Sequence, residues 1–116
     1  MANLAIQEIL KSGLEPSYAA AAAGGDEFAN DDRTFFIIKN GDASQHTVTF
    51  TVVRASFDIP GLGEVSFTNL AVAVPASEER VIKVPAGPYN NVNGRAAASY
   101  DAVTSVTVAA VRMPPG

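Results

Sequence analysis

Hydrophobic and polar residues alternate along several short segments of the chain, and turn residues separate these segments. The clearest segment is 46–52, whose valines and phenylalanine point to one side and whose threonines point to the other. This two-residue period predicts a β-strand with one buried face. In 34–39 apolar residues occupy both alternating positions, which predicts a strand buried on both faces. The Asn-Gly-Asp sequence at 40–42 is typical of a hairpin turn.

The rest of the chain continues this pattern. One kinked strand or a strand pair is predicted over 65–74, and three more strands follow at 80–84, 96–100 and 104–111. Turn signals recur about every ten residues, as in β-sandwiches and small barrels. The pattern therefore predicts an all-β, single-domain antiparallel β-sandwich or jelly-roll-like barrel with an N-terminal arm. The last residues, 113–116, should run extended because proline cannot donate to a sheet.

The apolar positions of these strands define a candidate core. A chain of 116 residues can bury one such core but not two. A hydrophobic fraction of 47% with only 17% charged residues predicts a folded chain rather than a disordered one. The segment 58–63 is expected to be a loop built around a Pro-Gly turn. The predicted core residues are Phe36, Ile38, Val48, Phe50, Val52, Phe67, Leu70, Val72, Val84, Val106 and Val108.

Residues 1–23 differ in composition from the rest of the chain. Five leucines and isoleucines precede a run of alanines at 19–23, and they fit either a short helix that ends near Ser12-Gly13 or an extended segment. We divide the chain into 1–23, an N-terminal arm or edge segment, and 24–116, the β-sandwich domain. Because the later strands look complete by themselves, we favour an assembly arm buried against a neighbouring copy or a shell. The alternative is a strand or helix that caps its own sandwich.

The charge and the cysteine content exclude several classes of function. The net charge is −4 and the eight basic residues are scattered, so we expect no nucleic-acid partner, because phosphate binding uses clustered Lys and Arg. The chain has no cysteine, which excludes disulfides and thiolate metal sites. We also expect no secretory signal and no membrane partner, since the chain contains no long apolar run.

Candidate chemical groups are few. His46 is the only histidine, and we expect an exposed residue at a strand edge, because a catalytic triad or a metal site needs further partners. The carboxylates and amide at 26–32 are the best candidate for calcium, but they lack EF-hand spacing, so we favour a solvated polar turn over 26–33. Adjacent Glu78 and Glu79 would point to opposite faces of a strand. We assign no catalytic, cofactor-binding or metal-binding residue, and we expect no cofactor and no enzymatic activity.

Several further motifs are turns and strands without chemistry of their own. They are an alanine-rich run at 19–23, Gly-Asp-x-Phe-x-Asn at 25–30, Arg-Thr-Phe at 33–35, Lys-Asn-Gly at 39–41, and the segments 85–91 and 103–111. Together they resemble small structural proteins that are encoded among the head genes of tailed bacteriophages. The likeness touches most of the chain and brings no binding residue with it.

The resemblance implies a virion protein that is made in the host cytoplasm and decorates or cements the exterior of a capsid shell. Its implied partners are the major capsid protein and neighbouring copies of itself, with a trimer as the expected homo-oligomer. One alternative is a tail or head–tail connector component, and another is a carbohydrate-binding β-sandwich. The carbohydrate binder would need a row of exposed aromatic rings, and the chain has no tryptophan and only Tyr89 and Tyr100 as late tyrosines.

Overall fold

The computed structural model describes residues 1–114. Pro115 and Gly116, the end of the C-terminus that the sequence predicts to be extended, lie outside the described residues. The strands are β1 (Ala2–Leu4), β2 (Ile6–Glu8), β3 (Ala19–Ala20), β4 (Asp26–Ala29), β5 (Thr34–Asn40), β6 (His46–Phe50), β7 (Ser56–Ile59), β8 (Gly63–Ser66), β9 (Leu70–Val74), β10 (Glu79–Ile82), β11 (Arg95–Tyr100) and β12 (Val106–Arg112), and the helix α1 (Ala86–Tyr89) lies between β10 and β11.

Most of the strands form two sheets that pack against each other. The first sheet has the order β1-β4-β11-β6-β9, and the second has the order β10-β5-β12-β2, with β3 also paired to β12. The long central pairing of β5 with β12 is antiparallel, whereas β1 with β4 and β2 with β12 are parallel. Strands β7 and β8 form a separate hairpin. The predicted all-β sandwich is confirmed, but its two large sheets are mixed rather than purely antiparallel.

The core lies between the two sheets and centres on three phenylalanines. Phe36 of the second sheet lies against Phe28 and Phe50 of the first, with ring centroids 5.3 and 5.2 Å apart, and all three side chains are fully buried. The structure also buries most of the predicted core, and it half-buries the remainder against that core except Phe67. The buried members are Phe36, Ile38, Val48, Phe50, Val84, Val106 and Val108, and the half-buried members are Val52, Leu70 and Val72.

Phe67 is a correction to the predicted core. Its ring packs edge-on against Phe57, with centroids 5.5 Å apart, and it lies outside the core cluster. The reason is that the chain leaves the first sheet after β6 and returns to it only at β9, so that Phe67 belongs to the β7–β8 hairpin. The core also contains residues outside the predicted set. They are Ala21, Phe28, Val74, Ile82, Tyr89, Ala96, Ala98 and Ala110.

The predicted polar turn over 26–33 is wrong in its first half, because residues 26–29 form β4. The register sets Phe28 opposite Ala96 of β11, and the small alanine leaves room for the phenyl ring in the core. A turn begins only after β4. There the Asp31 carboxylate accepts a hydrogen bond from the Arg33 N–H at 2.8 Å, and this bond is the main cause that lowers the pKa of Asp31.

The N-terminal segment pairs with the sheets of its own domain. Strand β1 extends the first sheet, while β2 and β3 together cover the edge of β12. The Gln7 side chain joins the two ends of the segment, since it donates to the Ser17 carbonyl and accepts the Ser17 N–H, both at 2.8 Å. Ile9 and Leu10 stay exposed in the loop between β2 and β3. The segment therefore packs on its own domain as an edge segment does, and its role as an assembly arm stays a prediction.

Candidate functional site

The one histidine is buried, which corrects the expected exposed residue. His46 begins β6 and is only 6% exposed. Its Nε2 lies 2.8 Å from Asp42 Oδ2, and its Nδ1 lies 3.3 Å from Asp101 Oδ1. The hairpin turn that precedes β6 supplies Asp42, and the loop after β11 supplies Asp101 at a distance of 55 residues along the chain. The imidazole therefore sits between two carboxylates that come from different loops.

Neighbouring hydrogen bonds fix this cluster in place. Asp101 Oδ1 also accepts the backbone N–H groups of Thr47 at 3.0 Å and Ala102 at 2.8 Å. Asn40 accepts the Asp42 N–H at 3.0 Å, and its side-chain amide donates to the Val74 carbonyl at 3.0 Å. The cluster thus ties the hairpin turn, the loop after β11 and the end of β9 together.

The electrostatics of the cluster favour a charged imidazolium. The hydrogen bond with Asp42 raises the pKa of His46 above its ordinary value, burial opposes that rise, and Asp101 adds to it. The hydrogen bond with His46, and secondarily the one that Asp42 accepts from the Ala43 N–H, lower the pKa of Asp42. Burial acts to raise the pKa of Asp101, but its backbone donors and His46 outweigh burial and lower it. Because both ring nitrogens face carboxylates, His46 has none left to ligate a metal or to activate a nucleophile.

We expect the melting temperature to fall more between about pH 6 and about pH 9 for the native chain than for His46→Gln. A raised pKa makes the stabilisation by His46 complete below its ordinary value of 6.5, and this contribution disappears as the pH rises through the folded-state pKa. Asp42 and Asp101 have lowered pKa values. Their contribution to stability is therefore present above pH 3.8, their ordinary pKa, and is lost as the pH falls through their folded-state pKa values. Calorimetric scans across this range test it, and parallel curves for the two proteins would contradict it.

A second buried polar pair lies at one end of the core. Asp26 is almost fully buried, and its Oδ2 accepts the Tyr100 hydroxyl at 2.7 Å and the Ala22 N–H at 3.2 Å. Burial, and secondarily the Asp26 carboxylate, raise the pKa of Tyr100 far above its ordinary value. The hydroxyl therefore stays protonated as a donor, which is what a buried carboxylate requires. This pair links the start of β4 to the end of β11 and to the chain that precedes β4.

The other residues of the acidic segment also have separate partners. Glu27 accepts from Arg95 at 3.3 Å, and Asn30 forms a partly buried pair with Asn90, in which each side chain donates to the other residue. In residues 1–114, no group of three or more histidine or acidic side chains is placed to hold a metal ion. The candidate calcium residues thus do not converge on one point.

The remaining groups that the sequence suggests are dispersed. Glu78 pairs with Arg80 at 3.0 Å. The Tyr89 hydroxyl donates to the Thr68 carbonyl at 2.7 Å, and the ring is buried. The Lys39 ammonium lies 4.0 Å from the centre of the Tyr18 ring. The three tyrosines therefore form no continuous stacking surface.

Two shallow grooves lie elsewhere on the surface. One, of about 330 Å³, lies between β2 and β3 and is lined by Gln7, Tyr18 and Val108 among others. The other, of about 400 Å³, lies where β5 ends and β10 begins, beside Asn40 and Glu79. Neither is lined by His46, Asp42 or Asp101, so the histidine cluster faces neither of these two grooves.

The β7–β8 hairpin has one apolar face and one polar face. Cross-strand pairs place Phe57 opposite Val65 on one face, with Ile59 beside them, and Asp58 opposite Glu64 on the other. This amphipathic pattern is typical of an antiparallel sheet that packs one face against other residues and exposes the other face to solvent. Sequence analysis missed it because the Pro-Gly turn suggested a loop, although apolar residues recur at every second position on both sides of that turn.

The outer part of that apolar face is uncovered. Leu62 at the tip is 81% exposed, Ile59 is 37% exposed and Val65 is 36% exposed. These three residues form the hairpin surface. The chain on both sides of the hairpin is anchored to the sandwich, because the Arg54 N–H donates to the Pro88 carbonyl at 2.9 Å and the Tyr89 hydroxyl donates to the Thr68 carbonyl at 2.7 Å. The hairpin surface is therefore an apolar patch on an anchored projection.

Comparison with known proteins identifies no relative: no family model, no curated protein and no solved structure matches the chain. Within residues 1–114, the structure contains no helix with the length and apolar character needed to cross a membrane.

Proposed function

We propose that this protein is a non-catalytic virion protein that decorates or cements a phage capsid shell, and that it assembles with copies of itself. The observation that carries the proposal is the hairpin surface, an apolar patch held out from the sandwich. Exposed apolar patches on otherwise polar surfaces are typical of protein–protein contact sites. The sequence resemblance to phage head proteins supplies the class of partner, which is the major capsid protein.

The composition supports a role in assembly. Only 17% of the residues are charged, and charged residues are depleted in the centres of protein interfaces. Burying the Leu62 side chain would contribute about 1.5–3 kcal/mol at most, before the cost of association is subtracted. Ile59 and Val65 would contribute less each, because most of their surface is already covered. One such contact is weak, but a shell presents many equivalent sites, and linked copies bind such an array far more tightly than single copies.

The composition of purified particles tests where in the virion the protein lies. Quantitative mass spectrometry of purified particles of the parent phage should find this chain in hundreds of copies per virion. A few to a dozen copies would indicate the tail or the head–tail connector instead. Absence from the particle would overturn the proposal of a virion protein.

Shell binding tests the hairpin surface. We expect Leu62→Asp to reduce the copies retained on shells about tenfold or more, because a carboxylate would be desolvated in an apolar contact. Its melting temperature should stay unchanged, since Leu62 is exposed. Val81→Asp, at a position on β10 that is 63% exposed, is the matched control and should bind normally. Equal retention of both variants would remove the hairpin surface from the interface.

A further inference from the structure

One strand edge of the sandwich is open and unprotected. Strand β9 ends the first sheet and pairs only with β6. Its five residues, Leu70-Ala71-Val72-Ala73-Val74, contain no charge, no glycine and no proline. An edge strand of this kind presents unpaired N–H and C=O groups to any other strand, and folded proteins usually block such edges with charges, proline or short length.

The other edges in residues 1–114 carry these protective features. Strands β1 and β2 have only three residues each. Strand β10 carries Glu79 and Arg80, and the β7–β8 hairpin carries Asp58 and Glu64. Among the edge strands of residues 1–114, β9 is therefore the one that has five residues and no charge.

The rest of the described chain does not cover this edge. Among the backbone hydrogen bonds outside the strand ladders of residues 1–114, none involves 70–74; the Asn40 amide reaches only the carbonyl of Val74 at the end of the strand. Ala71 and Ala73 are exposed on the outer face, and Val72 is half-buried although it faces the core. An edge that is open in this way accepts a further strand.

We propose that β9 pairs antiparallel with β9 of a second copy of this chain, about a two-fold axis at Val72. The strand is nearly the same read in either direction, so this register sets Leu70 opposite Val74, Ala71 opposite Ala73 and Val72 opposite itself. Aliphatic residues then meet on the core face and alanines meet on the outer face, and no like charges are brought together. The first sheets of the two copies become one sheet of ten strands.

This interface gives a location to the self-association in the proposed function, and it rests on that part of it alone. An isologous contact of this kind closes on itself as a dimer. The proposed β9 contact therefore predicts an oligomer with an even number of copies in place of the expected trimer. Capsid binding is not involved, so experiments on the purified chain decide the interface, and shell-binding experiments decide the rest of the proposed function.

Paired charge substitutions test the register. Ala71→Lys with Ala73→Lys would set lysine opposite lysine twice across the axis, and we expect the dimer dissociation constant to rise about tenfold or more. Ala71→Lys with Ala73→Glu is the matched control, because it sets lysine opposite glutamate twice and should restore the dimer. Sedimentation equilibrium measures both, with circular dichroism to check folding. A native chain that is monomeric or trimeric, or two variants that associate equally, would overturn the proposal.

A cysteine scan gives an independent test, because the native chain has no cysteine. At Val72 the residue meets its own copy, and strands in a sheet bring opposite Cα atoms to about 4.5–5.5 Å, within disulfide range. Val72→Cys should therefore form a covalent dimer on mild oxidation of a dilute solution. Ala71→Cys, which would face position 73, and the fully exposed Val92→Cys should crosslink much less. Equal crosslinking of all three, or none at position 72, would contradict the pairing even if the lysine variant failed to fold.

Discussion

Phe50→Ala should lower the free energy of unfolding by about 3–5 kcal/mol. Phe50 is fully buried, and its ring packs edge-on against Phe36 at 5.2 Å and against Phe28 at 6.4 Å. The contact with Phe36 joins the two sheets, whereas Phe28 lies in the same sheet as Phe50. The substitution therefore leaves a cavity at the centre of the sandwich that neither sheet can fill without moving. The loss combines the lost burial of the ring with the cost of that cavity.

Denaturant unfolding measures this loss, and Phe67→Ala provides a control of the same chemistry. Phe67 lies on the hairpin side, half-buried, in contact with Phe57. We expect its substitution to cost less than half as much as that of Phe50, because the hairpin can relax around the lost ring without parting the sheets. Similar losses for the two variants would mean that the aromatic cluster is not the main connection between the sheets.

Deleting residues 1–13 should lower the free energy of unfolding by about 3–5 kcal/mol. Leu4 and Ile6 are half-buried against the core, and the deletion also removes the ladders that β1 forms with β4 and that β2 forms with β12. The freed edges of β4 and β12 would then expose backbone groups to water. The truncated chain is therefore expected to melt at a lower temperature and to aggregate more readily.

Two double substitutions separate the edge segment from an assembly arm. Leu4→Ala with Ile6→Ala should lower the melting temperature of the isolated chain, since both side chains pack on its core. Ile9→Ala with Leu10→Ala removes the same kind of side chain from exposed positions and should leave that temperature unchanged. If the truncated chain keeps its full stability and only association or shell binding weakens, the segment acts as an assembly arm.

Strands with strict alternation were predictable residue by residue. In β6, Val48 and Phe50 alternate with threonines, and the structure buries the expected members. In β12 the structure buries Val106 and Val108 as predicted, but it also buries Ala109, which the alternation placed on the outer face. This works because the two-residue period of a strand is a local property of the backbone. Strand β4 was not predictable in the same way. Its polar sequence suggests a turn, and it is a strand only because β11 and β1 pair with it on both sides.

The candidate sites were less predictable than the fold. Nothing near His46 in the sequence indicates Asp101, which lies 55 residues away, and burial of the imidazole depends on that partner because a buried charge needs a counter-charge. The alternation of apolar and polar residues on both sides of the Pro-Gly turn indicates the apolar face of the β7–β8 hairpin. Its exposure, however, depends on whether another sheet packs against it. Exposure is a property of the assembled strands.

By itself, then, the sequence determined the all-β class, most of the strands and the apolar residues that face the core, because alternation and turn chemistry act over a few residues. Only the tertiary structure decided which strands lie at the edges of the sheets. The strand order of the first sheet leaves the outer edge of β9 unpaired, and the strand order of the second sheet places β2 and β3 along the edge of β12. Strand order depends on contacts between distant segments, so a local pattern that specifies a strand does not specify its neighbours.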